Sequence, residues 1–178
     1  MASAIAGPAR RFGPANGAHA AAAIAAALLL VLGQEQFRRG EALISATIVR
    51  FLRIFPADSL GTAIVFPAEG RYVGFTVSPS CTAALLIVPF ALLTALLLLA
   101  GRVQPRRAGA TVALFAVVLI LVNQLRLLVI TLSVRGWGFE TGFARSHVLL
   151  GTVVSTVGVA GGLLLFLRMV VPTGRRRA

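Results

Sequence analysis

Apolar residues run through this chain in four blocks, at about 18–33, 82–100, 109–133 and 148–171, with the polar positions gathered between them. A helix needs roughly 20 apolar residues to cross about 30 Å of hydrocarbon. The last three blocks predict transmembrane helices on length alone. The first is short but almost free of polar side chains, and predicts a fourth. It also fits the apolar part of a signal peptide, because Arg10 and Arg11 precede it, although no Ala-x-Ala cleavage pattern follows. The expected fold is an all-α integral-membrane bundle of about four transmembrane helices, forming a single membrane domain over residues 1–178.

Residues 34–80 are the one sizeable stretch between blocks. In their first half, Phe37, Ile44, Ile48, Phe51, Leu52 and Phe55 recur at helical spacing with arginines between them. That stripe predicts an amphipathic helix lying on the membrane surface. In the second half, "TAIVFPAEGRYVGFTV" holds two β-rich runs around Pro-Ala-Glu-Gly, which predicts a short β-hairpin. The Arg-rich end, residues 173–178, reads as a disordered tail.

Charge orients the helices. All 17 basic residues are arginine, and the net charge is +12. The arginines are scattered between apolar blocks instead of forming one basic face, so membrane lipid is the expected partner and nucleic acid is not. With the N-terminus inside, Arg10, Arg11, Arg102, Arg106, Arg107, Arg168, Arg175, Arg176 and Arg177 are cytoplasmic, with no acid among them. The outer segments then hold seven arginines and all five acids, Glu35, Glu41, Asp58, Glu69 and Glu140. The strongly positive loop at 101–107 and the tail favour both termini in the cytoplasm. Trp137, Phe139 and Phe143 fall at the outer interface.

Three polar residues come to the same level under this topology. Cys81, the single cysteine, starts the second block at its outer end, so no internal disulfide is possible. "SPSC" reads as a helix start, with Ser78 as cap, Pro79 at the first helical position and Cys81 in the first turn. The N–H groups and positive dipole end there favour a thiolate and could receive an oxyanion. A lone membrane cysteine is otherwise an inert small hydrophobe. Arg126 lies seven residues before Ser133, about 10 Å beneath the outer end of the third block. Its side chain leans toward the cytoplasm, which makes outward snorkelling awkward. Asn123, three residues earlier, shares its face, and two polar groups on one face of an apolar span point into the bundle. His147 opens the fourth block, also at the outer end, where the dipole favours neutral imidazole. A thiol, a base and a fixed cation are the parts needed for acyl transfer by a cysteine. All five acids lie in the outer segments, so none is placed to orient the histidine.

"SPSCTAA" at Cys81, "NQLR" at Asn123 and Arg126, and "SHVLLG" at His147 and Gly151 occur in the order and spacing of a known pattern. The chain resembles the exosortase/archaeosortase family of integral-membrane cysteine transpeptidases, as a short, minimal-core member, over roughly residues 60–165. Where that family often has Ser/Thr-Gly after its cysteine, this chain has Thr82-Ala83. The resemblance implies processing of secreted proteins that end in a short motif, an apolar span and a basic tail, at the outer face of the cytoplasmic membrane. It implies Cys81 as the nucleophile that forms a thioester, His147 as base and then acid, and Arg126 holding the thiolate or oxyanion, with Asn123, Ser78 and Thr82 in support. No cofactor or metal is expected. The competing expectation is a non-enzymatic assembly or transporter subunit that uses Asn123 and Arg126 to bind a partner or an anion.

Overall fold

The computed structural model describes residues 14–68, 70–146 and 151–170. Helix α1, Pro14–Leu32, is followed after one residue by α2, Gln34–Phe51. Strands β1, Asp58–Leu60, β2, Ala63–Ala68, and β3, Arg71–Thr76, come next, then a 3-10 turn at Pro79–Cys81. The rest is helical: α3, Ala83–Leu99; α4, Pro105–Trp137; α5, Phe139–Arg145; and α6, Gly151–Val170.

The all-α bundle with about four transmembrane helices is corrected on two counts. First, the stretch between the first two apolar blocks holds a three-stranded antiparallel sheet of order β1-β2-β3, not a lone hairpin. The extra strand is too short to show alternation. Leu60 and Ala63 pair across a turn that needs Gly61 at φ 61°, a conformation costly for any residue with a Cβ. The predicted loop residues Pro67 and Ala68 belong to β2, opposite Tyr72 and Arg71, and Gly70 at φ 75° closes the tighter turn. Second, among the described residues only α1, over Ala15–Leu32, and α4, over Pro105–Trp137, are long and apolar enough to cross a membrane. Helix α3 has 17 residues with Pro89 inside it, about 25 Å of helix. The apolar stretch of α6 is Thr156–Arg168. The start of the fourth predicted block, at 148–150, and the predicted tail at 173–178 lie outside the described residues.

Helix α1 packs chiefly on α3, while α4 packs on α3 and α6, and α5 folds back along the end of α4. That fold-back starts at Gly138, with φ 76°, and brings Gly142 against the Ser133 carbonyl, where a Cβ would collide with backbone. Helix α4 is about 50 Å long and links two apolar cores. One core lies against the sheet, with Phe66, Phe75, Val77, Leu127, Ile130 and Val134. The other lies among the helices, with Ile87, Phe90, Leu98, Phe115, Leu119 and Phe166. The α4 residues of the two cores stop on either side of a short polar interval, Asn123 to Arg126, where the candidate site sits.

Candidate functional site

Helix α2 supplies one wall, and the face it buries is turned by about a quarter of a circle from the predicted stripe. Its buried residues are Glu41, Ala42, Ser45, Ala46 and Val49, while Ile44 is 47% exposed and Phe51 84% exposed. Small side chains on the inner face let α2 approach α4 and the sheet closely, while Leu43, Ile44 and Phe51 are left outside and Phe37 packs against the helical core. A helix forms over the predicted stretch, but the face it buries is not the predicted stripe. Glu41, counted from the sequence among the acids of the outer segments, is buried in the protein, only 2% exposed.

The β3–α3 junction supplies the second wall. Ser78 does not cap a helix through its side chain; its carbonyl accepts from Cys81 N–H at 2.9 Å, closing the 3-10 turn. The Ser78 and Ser80 hydroxyls pair at 2.9 Å. Thr82 is extended, with ψ 141°, so the turn and α3 are separate elements. Thr82 is the cap of α3, its hydroxyl accepting from Ala84 N–H at 3.2 Å. Cys81 therefore stands just before the helix instead of within its first turn. The N–H groups that open α3, those of Ala83 and Ala84, are taken by Glu41 and Thr82.

Helix α4 completes the site. Arg126, 8% exposed, donates from Nη2 to Cys81 Sγ at 3.4 Å, and Cys81 is 3% exposed. Asn123, one turn earlier, donates from Nδ2 to Glu41 Oε1 at 2.7 Å. The same oxygen accepts from Ala83 N–H at 3.0 Å. Gln124, on the flank, accepts from the Ser45 hydroxyl at 2.5 Å. Arg38 donates to the Val77 carbonyl at 3.2 Å.

Burial pushes the Glu41 carboxyl above its ordinary range. Hydrogen bonds from Ala83 N–H, Thr82 and Asn123, with the Arg38 charge nearby, pull it down without overcoming that effect.

Of the residues singled out from sequence, the structure brings Cys81, Arg126, Asn123 and Thr82 together; Ser78 is beside them on the turn. His147 lies outside the described residues. Glu41 was missed because a single acid among arginines reads as a solvated charge. The usable signal was its phase: Glu41 stands at helical spacing with Ala42, Ser45, Ala46 and Val49, a small-residue face of the kind that packs against another helix.

No family model, curated protein or solved structure matches this chain. The class that the fold and site define is a matter of chemistry: a helical protein with two membrane-capable helices among its described residues and a buried thiol–guanidinium pair between a small sheet and an apolar bundle.

Proposed function

We propose that the chain is a membrane-embedded cysteine peptidase or transpeptidase, acting on secreted proteins at the outer face of the cytoplasmic membrane. The observation that carries this reading is the contact of Arg126 Nη2 with Cys81 Sγ at 3.4 Å, made between two separate elements inside the protein. A guanidinium stabilises a thiolate, and the thiolate is the nucleophilic form of cysteine. An arginine on an apolar helix is costly to bury unless it has such a partner.

The level of the site supports the location. Arg126 is 21 residues beyond Pro105, about 31 Å along α4, close to one hydrocarbon thickness from the Arg106–Arg107 end. With Arg102, Arg106 and Arg107 in the cytoplasm, the site falls at the opposite, outer boundary. Pro79 and Ser80, beside Cys81, are exposed, so the thiol is one residue beneath the surface.

In this mechanism the Cys81 thiolate attacks the scissile carbonyl carbon. The resulting oxyanion collapses to a Cys81 thioester, and the peptide nitrogen leaves as an amine after taking a proton from His147. An acceptor amine or water then attacks the thioester, gives a proton back to His147, and frees the Cys81 thiolate. Arg126 holds the negative charge on sulfur or oxygen in turn. The substrate class is a secreted protein ending in a short motif, an apolar span and a basic tail. The alternative of an assembly or transporter subunit would present Asn123 and Arg126 to a partner or anion. That use is disfavoured because the Asn123 Nδ2 donor is taken by Glu41 and the Arg126 Nη2 donor by the thiol.

The test is Cys81→Ala in cells, scored by accumulation of uncleaved secreted precursors, with Arg126→Ala and His147→Ala beside it. Loss of processing in all three is the expected result. Normal processing by Cys81→Ala overturns the enzyme reading.

A further inference from the structure

Contact between Cys81 and Arg126 depends on the relative placement of two elements that share no covalent neighbour. Cys81 belongs to a 3-10 turn, and Thr82 separates that turn from α3. Arg126 is fixed in the middle of a long helix. A sulfur acceptor at 3.4 Å is held by a weak hydrogen bond, and a displacement of about 1 Å at such a site costs up to 100-fold in rate. Something must hold the turn in register with α4.

We propose that Glu41 is the positioning residue of the thiol–guanidinium pair. The proposal rests on the reading of Cys81 as a nucleophile. One oxygen, Oε1, accepts from Ala83 N–H, two residues after Cys81, and from Asn123 Nδ2, three residues before Arg126. The contacts close a ring: Cys81 to Ala83 through the chain, Ala83 to Asn123 through the carboxyl, Asn123 to Arg126 through one helical turn, and Arg126 back to Sγ. Thr82, between Cys81 and Ala83, also hydrogen-bonds the Glu41 carboxyl, so both residues after the cysteine are tied to it.

This tie is not required merely to join the helices. Ser45 and Gln124 already link α2 to α4, as does the contact of Gln124 Nε2 with the Glu41 carbonyl at 3.5 Å. Burying a carboxyl group is unfavourable, and here one side oxygen, Oε2, meets no hydrogen-bonding group among the described residues. An apolar residue at position 41 would pack α2 against α4 at lower cost but could not hold the start of α3. The carboxyl group is placed where it acts on geometry next to the reactive sulfur.

The experiment follows the rate of Cys81 modification by methyl methanethiosulfonate from pH 5 to 10, in the purified full chain reconstituted in liposomes. Glu41→Ala is expected to slow modification at pH 7 about tenfold to 100-fold and to move the pH profile toward that of Arg126→Ala. Glu41→Gln keeps an oxygen acceptor and is expected to stay within about threefold of wild type, a rescue that general loosening of the fold would not give. Should Glu41→Ala fail to fold, Asn123→Ala removes the other end of the same tie and carries the same expectation. A wild-type profile in Glu41→Ala or in Asn123→Ala, or a loss in Glu41→Gln equal to that in Glu41→Ala, overturns the positioning role. A wild-type profile in Arg126→Ala sinks the nucleophile reading instead, whatever Glu41 does.

Discussion

Glu41 is the residue at which sequence and structure part furthest, and its burial has a consequence for stability. Its carboxyl is pushed above the ordinary value of 4.5 by desolvation. An acid with a raised folded-state value stabilises the protein fully below its unfolded value, and that contribution is lost as pH rises through the folded one. Wild type in detergent is therefore expected to melt at progressively lower temperature as pH is raised from about 4.5 toward neutrality. Glu41→Gln cannot titrate and should flatten that slope, by about 2–4 °C for each kcal/mol removed. An unchanged slope would show that Glu41 is not the group responsible. By contrast, Asn123 and Arg126 were legible: polar residues are scarce on an apolar span, so two on one face announce themselves. Glu41 stood in a stretch already rich in charge, and only the phase of Ala42, Ser45, Ala46 and Val49 marks its side as the inner one.

Elements were legible where they were long. Helices α1, α3 and α4 follow apolar blocks whose extent hardly depends on neighbours. The sheet was half legible, because β2 and β3 alternate and end at Gly70, whereas three-residue β1 is defined only by the partner it pairs with. The start of α3 was misplaced by a few residues because Ser78-Pro79 and Thr82 offer competing caps; the sequence cannot show that each begins a different turn. Close approach of α5 to α4 left a glycine as its only mark. Gly142→Ala should lower the melting temperature, since a Cβ there meets the Ser133 backbone, which cannot give way as a flexible side chain can. Gly136→Ala, where a Cβ meets nothing, is the paired control and should differ little from wild type. Equal melting of the two variants would mean that α5 does not dock as described.

The molecule as a whole turns large apolar side chains outward on most of its helices. Leu28, Leu29 and Leu32 of α1, Leu114, Val117, Leu121 and Leu125 of α4, and Val157 and Leu164 of α6 are all exposed. Soluble monomers rarely expose contiguous apolar area beyond a few hundred Å². On α4 the exposed set recurs every three or four residues along one side, the opposite of a soluble amphipathic helix, and the polar residues Asn123, Gln124 and Arg126 are on the side kept inside. A hydrocarbon solvent accounts for that inversion, and it makes a prediction that separates lipid from water. Val117 is 53% exposed and about 18 Å from the start of α4, near mid-depth of a 30 Å slab. If water surrounds it, Val117→Arg is a neutral surface change. In lipid the same arginine costs about 2.5–3.5 kcal/mol at mid-span, and should deplete the chain from alkali-resistant membranes. Val117→Leu serves as the matched apolar control. Full retention of Val117→Arg in the membrane fraction would remove lipid as the neighbour of this face, and with it the outer-boundary placement of Cys81.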